Sequence, residues 1–171
     1  MNRARTVLGA LAGSLLLTAG GATAAEGSPA PRAKSSLSEV RAWMDDRVTG
    51  DEYYTLIGWT GEGVYLVSLK EARVMNDGLV RFWSRIENFK PRPAPSGGAS
   101  LSSNTYNEAD CTRRRYHMVS KDFFAEGNLQ GDALERWDLD SGWYDVTPKS
   151  MGALMLEEVC AEISARGAPA S

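Results

Sequence analysis

The residues best suited to chemistry lie between positions 106 and 120, where the sequence reads YNEADCTRRRYHMVS. This stretch holds Cys111, three consecutive arginines and the only histidine of the chain, His117. A histidine acts in catalysis by taking a proton from a nucleophile, and in a metal site as one of three or four ligands. There is no second histidine, and no Gly-x-Ser-x-Gly turn precedes a helix. The sequence therefore predicts no catalytic residue, no metal site and no cofactor.

A second group of polar residues, Asp138, Asp140 and Asp145, resembles the start of a calcium-binding loop. An EF-hand loop has a glycine at its sixth position and a bidentate glutamate at its twelfth. Counted from Asp138, Gly142 comes one position early and Lys149 stands at the last position. A tight turn explains these residues with fewer requirements. A pair of carboxylates that hydrolyses a glycoside is an alternative that needs a cleft to support it.

The three consecutive arginines raise the question of a nucleic-acid surface. The formal net charge of the chain is −3, which provides no overall field for a phosphate polymer, so nucleic-acid binding is not expected. On a strand, neighbouring side chains alternate between faces, which would place Arg113 and Arg115 on the side of Cys111 and Arg114 on the other. Arg113 and Arg115 should then meet the glutamates of a C-terminal helix, or a bulge after Cys111 should reset the alternation.

Residues 1–24 have the features of a secretory signal peptide. Arg3 and Arg5 precede an apolar run, and Ala22 and Ala24 supply the small residues at which cleavage is expected, after Ala24. No other stretch approaches the roughly twenty apolar residues that cross a bilayer. No cysteine stands at the cleavage point to carry a lipid anchor. The sequence thus predicts a soluble periplasmic or secreted protein, with no integral membrane segment once the signal is removed.

Cys111 and Cys160 are the only cysteines. In an oxidising compartment two thiols of a small domain tend to pair, so we predict a structural disulfide between them. Closing a loop of that length contributes on the order of 4 kcal/mol in the chain-entropy model. Two buried free thiols or a shared metal ion are the alternatives.

The predicted mature chain begins with two short segments. Residues 25–36 are small and proline-bearing, which indicates a flexible linker. Residues 37–50 are predicted to form a helix, because Ser36 and Glu39 have the spacing of a capping box and the apolar residues that follow form one stripe. Trp43 lies beside that stripe. The helix either packs onto the domain or serves as an interaction arm.

Beyond Gly50 the apolar pattern changes from a helical period to a period of two, which is typical of strands. Two runs joined by the turn GEG predict a hairpin, and a third strand follows. The prolines of residues 90–104 do not suit a central strand, so a long mobile loop is expected there. Residues 105–124 are predicted to be one extended element, followed by a hairpin about Ser141 and Gly142.

The last element is predicted to be a helix, with Thr147 at a capping position and Pro148 in its first turn. Its apolar residues share a face with Cys160. We therefore predict an α+β domain over residues 51–166, followed by a tail at 167–171. The domain has an antiparallel sheet of five or six strands, one C-terminal α-helix packed on it as a second layer, and a disulfide from strand to helix.

Five segments follow one another along the chain in an order that is characteristic when taken together: YYTLIGWTGEGVYLVSLK, GLVRFWSRI, YNEADCTRRRYHMVS, FFAEGN and GWYDVTPKSMGALMLEEVC. They include the pair Asp110 and Cys111 before the arginines, and the run from Trp143 to Ser150 before the helix of Cys160. Over about residues 53–163 the chain resembles the surface-adhesin protein E family of Gram-negative bacteria. The resemblance implies an envelope or secreted domain that adheres to host extracellular-matrix and serum proteins. Family adhesins are anchored by lipid, and this chain lacks the anchoring cysteine.

We therefore expect an exported, non-enzymatic binding domain that engages a protein or a cell-envelope component, a host extracellular-matrix protein by family resemblance. Aromatic and basic side chains concentrate at protein interfaces. The candidate partner-binding residues are Trp43, Trp83, Lys90 and Arg92. The alternative is a periplasmic enzyme inhibitor of the lysozyme-inhibitor type or a small periplasmic enzyme.

Overall fold

The computed structural model describes residues 28–49, 53–139 and 142–167. The predicted signal peptide, the tail beyond residue 167 and Ser141 of the predicted hairpin lie outside these residues. The elements follow one another as α1 (Leu37–Arg47), β1 (Thr55–Trp59), β2 (Gly63–Val74), β3 (Val80–Pro93), β4 (Ala99–Asp110), β5 (Arg115–Phe124), β6 (Ala133–Asp138), β7 (Tyr144–Asp145) and α2 (Met151–Ala165).

The strands form one antiparallel sheet in the order in which they occur in the chain, from β1 to β6, with the two-residue strand β7 beside β5. The C-terminal helix packs on this sheet. The predicted α+β class and the antiparallel sheet are confirmed, and so is the β1–β2 hairpin. None of the helices in the described ranges is long and apolar enough to cross a membrane.

The stretch from residue 90 to 104 is not the long loop that its prolines suggest. Strand β3 runs on to Pro93, which pairs with Ala99 of β4, and only residues 94–98 form the connection. The register shifts between Glu87 and Arg92, so the irregularity surrounds the first of the prolines, and Pro93 ends the strand. A bulge and a strand end are the places where a missing amide hydrogen is tolerated.

Residues 105–124 are two strands rather than one, because the chain turns at residues 111–114. The Asp110 carboxylate accepts the amide of Arg113, and Arg114 has a positive φ of 51°. The strand alternation predicted for the arginines is therefore wrong. The hairpin about Ser141 is also wrong, since β6 and β7 both pair with the same edge of β5.

Helix α1 begins at the predicted capping box, in which Ser36 accepts the amide of Glu39 and the Glu39 carboxylate accepts the amide of Ser36. It ends at Arg47, before the predicted end. Its apolar side is buried against Leu66 of β2 and the strand residues around it. Residues 28–36, predicted as linker, contact the domain as well: Pro31 is buried, and the amide of Ser28 donates to Asp46.

Helix α2 covers the opposite face of the sheet. Its residues Leu156, Val159 and Ile163 pack against Val67 of β2 and the apolar residues of β3 and β4. Val67 follows Leu66, and consecutive strand residues point to opposite faces. The sheet thus lies between two helices, and the predicted two-layer arrangement gains a third layer.

The predicted disulfide is confirmed: Cys111, at the start of the β4–β5 turn, is bonded to Cys160 of α2. The bond ties the helix to the sheet at the point where the chain reverses. It closes a loop with a sequence separation of 49 residues.

Replacing both cysteines with alanine (C111A/C160A) should lower the free energy of unfolding by about 4 kcal/mol, because the unfolded chain regains the entropy that the closed loop removes. Urea denaturation of the oxidised protein and the double variant measures the difference. An unchanged denaturation midpoint would contradict this origin of stability.

A buried ion pair fixes the region beneath α1. The Arg85 guanidinium lies 2.6 Å from the Glu87 carboxylate, and each side chain is 3% exposed. Asn128 lies in the β5–β6 connection. Its backbone amide donates to the Glu87 carboxylate, and its side-chain oxygen accepts a hydrogen bond from Arg85. Its side-chain oxygen also accepts the amide of Thr49, just beyond α1. The network therefore holds the end of α1 against the sheet.

We expect Arg85→Met to destabilise the protein by about 3–5 kcal/mol, since it leaves the Glu87 carboxylate buried without its partner. Burial raises the pKa of Glu87, and Arg85 and the Asn128 amide act in the opposite direction. Without Arg85 the folded-state pKa rises further above the unfolded one. The loss of stability should then be full at neutral pH and shrink as the pH falls through the folded-state pKa.

Urea denaturation between about pH 7 and pH 5 measures this effect. The double variant R85M/E87L removes both charges and should recover most of the stability. A loss in R85M that is independent of pH, with no recovery in the double variant, would show that packing rather than charge is responsible.

Candidate binding surface

The sheet face that carries α1 is left open beyond the helix. Cross-strand register aligns Arg81 of β3 with Glu108 of β4 and His117 of β5, and aligns Trp83 with Tyr106. None of these side chains belongs to the core beneath either helix. Together with Trp143, which follows the β6 segment and contacts His117, they form what we call the open face.

A row of charged groups crosses the open face. The Arg81 Nε donates to Glu108 Oε1 at 2.8 Å, and His117 Nδ1 lies 3.6 Å from Glu108 Oε2. The other ring nitrogen of His117 lies 3.3 Å from the Leu139 carbonyl oxygen. Both nitrogens of His117 thus face oxygen atoms, one of a carboxylate and one of a backbone carbonyl. These contacts give an ordered polar surface, and neither is with a hydroxyl or thiol that the ring could deprotonate.

Aromatic rings flank the charged row on both sides. Trp83 packs on Tyr106 with ring centroids 4.8 Å apart. On the other side the Arg115 guanidinium lies 4.5 Å above the Trp143 ring. Trp143 is 36% exposed, so its indole offers apolar area to a partner while Arg115 holds it in place. A shallow depression of about 330 Å³ lies beside Trp83 and Tyr106.

The three consecutive arginines have different partners at one end of the open face. Asp110 is 5% exposed, and its Oδ2 accepts Arg113 Nη1 at 3.0 Å and Arg115 Nε at 3.3 Å. Arg114 instead donates to Glu157 of α2 at 2.9 Å. Glu157 of the helix therefore pairs with Arg114, the arginine that strand alternation had placed on the face opposite Cys111.

Hydrogen bonds hold the carboxyl of Asp110 ionised. Burial acts to raise the pKa of Asp110, but the Arg113 amide and the side chains of Arg113 and Arg115 outweigh it and keep the pKa below its ordinary value. The stability that these bonds contribute is present above the unfolded-state pKa and is lost as the pH falls through the folded-state one. The β4–β5 turn should therefore weaken in acid.

Among the predicted partner-binding residues, only Trp83 lies on the open face. Trp43 is 5% exposed and packs edge-on against Phe89 beneath α1, so the expectation of an exposed aromatic is wrong for it. Lys90 and Arg92 are exposed at the far end of β3, where Arg92 is bonded to Glu62. At about 3.3 Å per residue, Lys90 lies about 23 Å and Arg92 about 30 Å along the strand from Trp83. The structure does not bring these residues together.

The sequence did not reveal Tyr106, Glu108, Arg115 or Trp143 as members of a surface. Their signal lies in cross-strand register, which depends on the turn at residues 111–114. Within the described residues, no cluster of three or more histidine, cysteine, aspartate or glutamate side chains could hold a metal ion.

Comparison with known families matches residues 54–161 to the model of surface-adhesin protein E. The chain belongs to the surface-adhesin protein E family. The match begins within the residues before β1 and ends in α2, so it includes the sheet, the disulfide and every member of the open face.

A solved structure of protein E from Haemophilus influenzae shares the fold. In one crystal form the likeness has a TM-score of 0.50 at 19% identity, and covers 66% of this chain and 90% of that one. A structure of protein E from a non-typeable strain has a TM-score of 0.46 at 19% identity, covering 61% and 74%. Comparison with curated protein sequences finds no match.

Replacing Arg113 or Arg115 with methionine should raise the pKa of Asp110, because each change removes a donor to its carboxylate. The carboxyl carbon shift of Asp110, followed by NMR through an acid titration, measures this. Arg114→Met is the matched control, since its side chain pairs with Glu157 instead, and it should leave the titration unchanged. Equal shifts in all three variants would mean that net charge alone sets the pKa.

Proposed function

We propose that this surface-adhesin protein E relative is an exported binding protein without catalytic activity, and that the open face is its contact surface for another protein. The observation that carries the proposal is the pairing of Trp83 with Tyr106 and of Trp143 with Arg115 around an ordered charged row. Tryptophan, tyrosine and arginine are the residues that dominate binding energy at protein interfaces. Ordered charges between them would select a partner by complementarity.

The chemistry of the open face favours a protein partner over a nucleic acid. Its arginines are neutralised by Glu108 and Asp110 at hydrogen-bond distance, so few positive charges remain to contact a phosphate backbone. Half-buried aromatic side chains offer area that a protein can cover with little loss of side-chain entropy. We propose a host extracellular-matrix or serum protein as the partner, in keeping with the family.

Export is part of the same proposal. The Cys111–Cys160 bond forms and persists in oxidising compartments, which supports a periplasmic or extracellular location. We propose that residues 1–24 direct the chain there as a cleaved signal peptide.

Two tryptophans of nearly equal exposure on opposite faces of the sheet allow a matched test. Trp143 is 36% exposed on the open face, and Trp137 is 37% exposed and pairs with Lys121, whose side chain points to the α2 face. Trp143→Ala should weaken partner binding at least tenfold, since a hot-spot residue contributes about 2 kcal/mol or more. Trp137→Ala should leave it within about twofold of the wild type, as expected outside a hot spot.

Purified protein, titrated over immobilised matrix and serum proteins by surface plasmon resonance, gives the affinities. Circular dichroism of each variant checks that the fold is retained. Equal losses in the two variants would remove the open face from the proposal. No binding by the wild type, together with inhibition of lysozyme by the same preparation, would favour the inhibitor alternative.

A further inference from the structure

A small cavity lies on the other face of the sheet, beside the start of α2. It has a volume of about 140 Å³. Met151 and Met155 of the helix form one wall, and Met118 and Tyr116 of β5 form another. The open face described above is on the opposite side of the sheet, so this cavity is a separate feature.

One charged side chain reaches into this cavity without a counter-charge. Lys121 lines it, and in the described part of the chain no carboxylate is paired with its ammonium group. The ammonium nitrogen lies 5.0 Å from the centroid of the Phe123 ring. No described residue lining the cavity is acidic. Arg85 also borders the cavity, but its guanidinium is already paired with the Glu87 carboxylate beneath α1. Burial accordingly lowers the pKa of Lys121.

Hydroxyl groups near Lys121 can donate hydrogen bonds into the cavity. Ser84 and Thr105 lie on neighbouring strands beside Lys121, and both border the cavity. The Ser84 hydroxyl oxygen accepts a hydrogen bond from Asn107 Nδ2 at 3.0 Å. The hydroxyl proton of Ser84 is therefore free to donate to a group inside the cavity. The cavity thus combines an apolar wall with a cationic and donor-rich floor.

We propose that this cavity binds a small organic carboxylate, with its charged group at Lys121 and an apolar body of about benzene size between the methionines. An apolar cavity of about 150 Å³ is known to accept benzene, which sets the size of the body. Methionine side chains adapt to the shape of what they cover. A carboxylate supplies the missing counter-charge and forms a charge-assisted hydrogen bond with Lys121.

Binding of benzoate, phenylacetate and hexanoate to the wild-type protein tests the proposal, with benzyl alcohol and benzylamine as neutral and cationic probes. The methyl resonances of Met151 and Met155, observed by NMR, report occupancy of the cavity. The carboxylates should shift these resonances in a saturable manner and bind at least tenfold more tightly than benzyl alcohol. Benzylamine should not bind. Equal binding of acid and alcohol, or no saturable shift with any carboxylate, would overturn the proposal.

Lys121→Met supplies the second arm of the test. It should reduce carboxylate affinity at least tenfold and leave the thermal midpoint unchanged or higher, because a desolvated ammonium group has been removed. Lys70→Met is the matched control, since Lys70 also lies over an aromatic ring, that of Tyr53, but is exposed. It should leave carboxylate binding unchanged. Unaltered affinity in Lys121→Met would overturn the proposal. If that variant does not fold, binding of the probe series to the wild-type protein decides the question.

Carboxylate binding in the cavity can be tested independently of protein binding at the open face. Trp143→Ala should retain carboxylate binding, whereas Lys121→Met should retain binding to a protein partner. Loss of carboxylate binding in Trp143→Ala would show that the two faces are not separate sites.

Discussion

The alternation of side chains along β3 governs the organisation of the whole molecule. This strand lies inside the sheet, and each of its residues must face one helix, the other helix or solvent. Val80 and Phe82 point to α2 and complete its core, whereas Arg85 and Glu87 point to the opposite face and form a buried pair under α1. Trp83, on that same face, emerges where α1 stops. A shift of one residue in register would exchange all of these environments at once.

The buried pair of Arg85 and Glu87 explains why α1 takes one position on its face. Apolar contacts alone tolerate sliding, because the hydrophobic effect has no direction. The pair and Asn128 provide directional bonds to Thr49, so the end of α1 is fixed relative to the β5–β6 connection. The place where α1 ends decides how much of the sheet remains open. A structural charge pair thereby sets the extent of the proposed contact surface.

Local signals in the sequence sufficed for some elements and not for others. The capping box at Ser36, the helical stripe of α2 and the pairing of Cys111 with Cys160 follow from short spacings or from composition, and each was predicted. The turn after Asp110 was missed because it rests on a side chain that accepts a backbone amide and on an arginine with positive φ, neither of which has a strong sequence signal. Without that turn, the register that assembles the open face could not be found. Trp43 was named as a partner-binding candidate because a single helical stripe does not reveal which neighbouring positions are also covered.

The disulfide also determines how the protein responds to tension. A force applied at the chain ends bypasses the residues between Cys111 and Cys160, because the load passes through the covalent bond between them. Those residues would otherwise add about 160–175 Å of extensible length at 3.3–3.6 Å per residue. They include β5 and Trp143, so one side of the open face stays out of the path of the load. For a member of an adhesin family, this means that β5 and Trp143, which belong to the proposed contact surface, carry no direct load while the rest of the chain is being stretched.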